Sequence, residues 1–128
     1  MGTSNLTING VKHLNKVSHT VVSDRIEAGS FAIASSITKG NVEINNINPK
    51  ILTEFINVLK LTGSKIEISE NSIYVSSCKR PKPFNISTDP YPGFPTDLQA
   101  QYMALMTIAN GKTQIKETIF ENRFMHVP

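Results

Sequence analysis

Apolar and polar positions along this chain repeat with two periods, and the period changes from segment to segment. Residues 5–11 open with Leu6 and Ile8 separated by one polar position, and residues 20–22 form a short apolar run that ends at Ser23. Both read as strands. Asp24 and Glu27 then have the spacing of a capping box, which predicts a helix from residue 24 to about residue 38, where Gly40 stops it. The centre of that helix, from Ser30 to Ile37, is apolar or small on every side, so it belongs inside the fold. Residues 41–45 alternate strictly, with Val42 and Ile44 facing one way and Glu43 and Asn45 the other. Pro49 suits the first turn of a second helix over residues 49–61, ended by Gly63. Here Leu52, Phe55, Ile56 and Leu59 oppose Thr53, Glu54, Asn57 and Lys60. Residues 65–69 and 72–76 alternate around Glu70-Asn71 and predict a hairpin.

The pattern then restarts. Residues 84–88 read as a strand, 97–109 as a helix apolar nearly all round, and 112–119 as a strand. Ile37-Thr-Lys-Gly40-Asn-Val-Glu-Ile44 aligns with Ile108-Ala-Asn-Gly111-Lys-Thr-Gln-Ile115, an internal repeat offset by about 70 residues. The fold class is therefore α/β, with one βαβαββ unit and the start of a second. Buried helices between half-polar strands imply sheets outside and helices within, the reverse of the usual layering. Val127-Pro128 falls where a further helix should open, which reads as a chain ending in mid-fold.

Composition adds mainly exclusions. A chain of 128 residues fits a single domain. Thirteen basic against ten acidic residues give a formal charge of +3, too small and scattered for a nucleic-acid surface. The single cysteine, Cys78, excludes an internal disulfide and suits a reducing compartment. No apolar run is long enough for a membrane span, and the first residues lack the pattern of a secretory signal, so a cytoplasmic protein is expected. His13, His19 and His126 show no metal-ligand spacing. No Gly-rich phosphate loop or dinucleotide fingerprint occurs, and no metal or nucleotide cofactor is expected.

The candidate chemistry lies in Phe94-Pro-Thr-Asp97-Leu-Gln-Ala-Gln101 and Phe120-Glu-Asn-Arg123-Phe-Met-His126. Asp97 opens a helix and Arg123 follows the next strand, so the two charges from adjacent junctions are placed to meet at one sheet end. Taken alone, Asp97 also fits a simple capping role, since Thr96 and Gln99 make a capping-box pattern and the helix dipole stabilises an acid in the first turn. Arg123 offers a planar donor fork for a carboxylate, or an ion pair with Glu121 or another nearby acid. Ile119 and Phe120 by themselves read as core, and Asp24-Arg25 as a capped helix start followed by a solvated arginine.

These motifs, together with Ser23-Asp24-Arg25-Ile26-Glu27-Ala28-Gly29 and Lys79-Arg80-Pro81, closely resemble the UDP-N-acetylglucosamine 1-carboxyvinyltransferase family of enolpyruvyl transferases. The resemblance runs through almost the whole chain and covers well under half of such an enzyme. It implies an inside-out α/β fold of which residues 1–128 are a partial lobe. It also implies a reaction that moves enolpyruvyl from phosphoenolpyruvate to the 3-hydroxyl of UDP-N-acetylglucosamine, releasing phosphate in peptidoglycan synthesis. In the resemblance Asp97 matches the aspartate that contacts the sugar hydroxyl and takes its proton. Arg123 matches an arginine where phosphoenolpyruvate reacts, Ile119 and Phe120 line the sugar site, and Asp24 and Arg25 match a pair near the interdomain cleft. The family's N-terminal Lys-Asn segment and reactive-cysteine loop have no counterpart, and Cys78 is an ordinary thiol outside that loop. The chain is thus expected to be inactive alone, or active only beside a complementary polypeptide. The rival expectations are a non-catalytic remnant that binds a nucleotide sugar or a partner protein, and a fragment of the sister enzyme acting on a shikimate phosphate.

Overall fold

The computed structural model describes residues 5–127. Helix α1, Arg25–Thr38, starts where Asp24 accepts hydrogen bonds from the Ile26 and Glu27 N–H groups at 2.7 and 3.3 Å. It ends at Lys39, which takes the left-handed conformation (φ 55°), while Gly40 donates its N–H to the Ser35 carbonyl. The stop expected at Gly40 is therefore made one residue earlier, by a lysine. Strand β1, Asn41–Asn45, follows, then a 3-10 turn Pro49–Leu52 capped by Asn48, and helix α2, Thr53–Leu61. Phe55, Ile56, Val58 and Leu59 are buried while Thr53, Glu54, Asn57 and Lys60 are exposed, as their periodicity requires.

Strands β2, Lys65–Ile68, and β3, Ser72–Ser76, form the expected hairpin. The sheet order is β1-β3-β2, antiparallel throughout, with Asn41 and Lys65 both opposite Ser76. Val42, Ile44, Ile73, Val75 and Ile66 face the core, and Glu43, Glu67 and Tyr74 stand across from one another on the outer face. Helix α1 packs against this sheet on one side and against helix α3, Gln99–Thr107, on the other. The helix is the inner layer and the sheet the outer one, as the sequence implies, but α1 is not enclosed all round: Phe31 and Ala34 on its outer flank are exposed. The approach is close enough that a Cβ on Gly29 would overlap the side chain of Leu98, itself fully buried. Phe94 seals the far side, its ring 6.0 Å from Phe55 and 5.5 Å from Tyr102. Burial raises the pKa of the Tyr102 hydroxyl, which donates to the Phe84 carbonyl at 2.8 Å.

The two strands expected first in the chain do not form. Residues 5–23 lie outside helix and strand, and Leu6, Leu14 and Val22 are 80% or more exposed. Alternation permits a strand but pairing makes one, and residues 5–23 pair with neither sheet. The first unit is therefore αβαββ rather than βαβαββ. The second unit pairs over a shorter length than its pattern suggests. Strands β4, Ile86–Ser87, and β5, Ile115–Lys116, form a two-residue parallel ladder. Side chains extend it: Asn85 accepts from the Gln114 N–H, and Thr88 from the Thr118 N–H. Residues 121–126 form turns, Val127 belongs to neither helix nor strand, and Pro128, where a further helix was expected to open, lies outside the described residues. Among the described residues, no helix is long and apolar enough to cross a membrane.

Candidate functional site

The carboxyl ends of β4 and β5 deliver both candidate motifs to one place. After β4 the chain turns tightly, with the Gly93 N–H donating to the Pro90 carbonyl and the Asp89 N–H to the Phe94 carbonyl. Buried Phe94 and Leu98 anchor the loop on either side of Asp97, which sits in the 3-10 turn Thr96–Leu98 and stays exposed. After β5 the chain reaches Ile119, Phe120 and Arg123. The Arg123 guanidinium donates to Asp97 Oδ1 at 2.6 Å and lies 5.2 Å from the centre of the Phe120 ring. The partner of Arg123 is Asp97, not Glu121. Neither group is buried, so the pair is a reachable charge couple and not a core ion pair.

Asp97 does not take part in a capping box. The 3-10 turn starts after Pro95 with no side-chain cap, and Thr96 turns its hydroxyl away from the helix to donate to Glu117 Oε2 at 2.8 Å. Gln99, the other half of the pattern, is buried instead. Pro95 holds the turn by its fixed φ, so the cap is unnecessary. Asp24 does cap α1, and with Arg25 it lines the same open cleft of about 530 Å³ as Asp97 and Tyr91. Arg25 is more than a solvated arginine, since it lies 5.4 Å from the centre of the Tyr91 ring. Ile119 is half-buried and Phe120 is exposed, so Phe120 is not a core residue. Every candidate residue read from the sequence therefore lies in this cleft or beside the Asp97–Arg123 pair. Cys78 is exposed and lines none of the pockets described here.

Two residues of this neighbourhood belong to neither candidate motif. Tyr91 follows no motif of its own. Glu117 falls on the same alternating face as Ile115 and Ile119, an acid at an inward position, and that is the one signal the sequence offers for it. It accepts hydrogen bonds from Thr88, Thr96, and the Ile119 and Phe120 N–H groups. Burial alone would raise its pKa, but these four donors together outweigh that effect and hold it below the ordinary carboxylate value. The tertiary approach of residues 88 and 96 to residue 117 supplies its long-range partners. No group of three or more His, Cys, Asp or Glu residues among those described is placed to hold a metal ion.

The family model for EPSP synthase (3-phosphoshikimate 1-carboxyvinyltransferase) matches residues 1–128. The chain belongs to that family. Within the EPSP synthase family its curated relatives include UDP-N-acetylglucosamine 1-carboxyvinyltransferases. That of Pelagibacter ubique is 53% identical over 120 residues, which are 94% of this chain and 29% of the relative. That of Bartonella quintana is 54% identical over 129 residues, 98% of this chain and 30% of the relative. The chain thus spans about 30% of the length of these relatives. The crystal structure of the enolpyruvyl transferase NikO from Streptomyces tendae superimposes with a TM-score of 0.74 at 22% identity, covering 86% of this chain and 26% of that one. That likeness establishes the family's inside-out α/β fold for this chain.

Proposed function

We propose that this chain supplies one wall of the active site of a transferase that moves enolpyruvyl from phosphoenolpyruvate to the 3-hydroxyl of UDP-N-acetylglucosamine, a step of peptidoglycan synthesis in the cytoplasm. The observation that carries the reading is the exposed Asp97–Arg123 couple at the end of a parallel strand pair, in a chain about half identical to enzymes of that name. Asp97 receives the proton of the sugar hydroxyl as the new C–O bond forms. It makes no capping bond and stays exposed beside Arg123, so the sugar hydroxyl can reach it. Arg123 provides the planar fork that a phosphoenolpyruvate carboxylate fits, and Asp97 holds that fork in place until the substrate arrives. Ile119 and Phe120 contribute to the sugar subsite through the ring and the carbonyl side of the strand end, because their N–H groups are bonded to Glu117. Asp24 and Arg25 border the same cleft from the start of α1.

The opposite wall and its cations belong to the remaining 70% or so of the relatives' length. Purified alone, these 128 residues should release no phosphate from the two substrates above a buffer blank, because positioning and charge stabilisation must come from both sides of the cleft. A complementary polypeptide should restore the reaction. In that complete enzyme Asp97→Asn removes the basic carboxylate at constant size. Turnover at saturating substrates should fall by about 10²–10⁴-fold, with the thermal midpoint nearly unchanged. Near-normal turnover would remove Asp97 from the chemistry and favour a wall that only binds the nucleotide sugar.

A further inference from the structure

We propose that Glu117 is the positioning residue of this site, the carboxylate that fixes Asp97 relative to the strand end at residues 119–120. The inference rests on the reading of Asp97 and residues 119–120 as one substrate site, and concerns what holds them together.

Three segments converge on this one side chain, two of them 29 and 21 residues before it in sequence. Oε1 accepts the Thr88 hydroxyl at 2.9 Å, from the end of β4, and the Ile119 and Phe120 N–H groups at 2.9 and 3.2 Å, from the chain beyond β5. Oε2 accepts the Thr96 hydroxyl at 2.8 Å, from the turn that carries Asp97. The ladder beneath is only two residues long on each strand, and Thr118 adds bonds to Thr88 through both its N–H and its hydroxyl. Backbone pairing of that length cannot set the spacing of the loops beyond it. The four donors on Glu117 can, because one side chain bonds all three segments at once. Asp97 lies between the tethered Thr96 and the buried Leu98, so the tether reaches its backbone directly. The same carboxylate occupies the 119 and 120 N–H groups, which leaves their carbonyls for a ligand.

The test needs no ligand, so its failure leaves the substrate assignment standing and its success does not depend on that assignment. Backbone amides and the Arg123 guanidinium are followed by NMR in the chain itself, with Val75 and Leu105 amides reporting the core. In Glu117→Ala, hydrogen-exchange protection at Ile119 and Phe120 should fall about tenfold or more, and the Arg123 resonances should move toward those of a free side chain. Glu117→Gln should restore both, since its carbonyl can serve the three Oε1 donors while its amide donates to a rotated Thr96 hydroxyl. Thr96→Val is the deciding variant should the alanine variant lose its core protection. It cuts only the link from Glu117 to the Asp97 turn, at constant shape. Arg123 should then shift while Ile119 and Phe120 keep their protection. Unmoved Arg123 resonances in Thr96→Val, with the core intact, would reduce Glu117 to a strand-end brace and overturn the proposal.

Discussion

A single carboxylate can tie the pH response of a site to its geometry, and Glu117 does so here. Its pKa is held below the ordinary value of 4.5, so its contribution to stability is fully present above that value and is lost as pH falls through the depressed one. Acid titration of the folded chain should therefore show a steeper loss of stability below about pH 4.5 in the wild type than in Glu117→Gln, measured as urea midpoints across the acid range. Gln99 is the opposite kind of polar residue. It is fully buried, and among the described residues its amide nitrogen has no hydrogen-bond partner. An unmet buried donor costs about 1–3 kcal/mol, so Gln99→Met, similar in length and without the donor, should raise the urea midpoint. The sequence showed Asp97 and Arg123 plainly, because their motifs are contiguous and the strand–helix junctions that carry them are strongly patterned. It could not show Glu117 or Gln99 for what they are. One is an acid on the Ile115–Ile119 face of its strand, and the other looks like half of a capping box; the approach of β4 to β5 and the packing of α3 supply the surroundings that neither pattern contains.

At the level of elements, the helices were legible and the strands only in part. Caps and apolar periodicity are local: Asp24 marks the start of α1, and Pro49 the 3-10 turn that leads into α2. Residues 5–11 and 20–22 alternate or run apolar as strands should, yet the ladder partner that turns pattern into structure is not encoded locally. The joint between α1 and the α3 turn is the element contact on which the inner layer depends. Gly29→Ala places a methyl group against Leu98, which has no room to swing away, and should destabilise the chain by about 1–3 kcal/mol. Leu98→Ala should cost about 2–5 kcal/mol by itself. Combined, the two should cost clearly less than their sum, since the smaller side chain makes room for the methyl group. A double-mutant cycle of urea denaturations measures the coupling, and strict additivity would mean that the helices separate on substitution.

For the molecule as a whole, the apolar side chains of residues 6–22 stand in solvent together with Phe31 on the outer flank of α1. Surface of this kind promotes association. Sedimentation should show a size that grows with concentration, and an apolar dye should fluoresce on the dilute chain; a monomer at all concentrations with no dye signal would contradict this. The layering has a different consequence for how the sequence tolerates change. In most α/β folds the sheet is the intolerant layer, but here it is α1, enclosed between β1–β3 and α3. Its inward face is made of Ala28, Gly29, Ala32 and Ile33 with Ser35 and Ser36, whose hydroxyls bond the Val75 carbonyl and the Ser64 hydroxyl. Glu43, Glu67 and Tyr74 form an outer sheet face with no such constraint. Saturation mutagenesis scored by folding should therefore trace a band of intolerance with a period near 3.6 along residues 28–36, and broad permissiveness at alternate positions of all three strands.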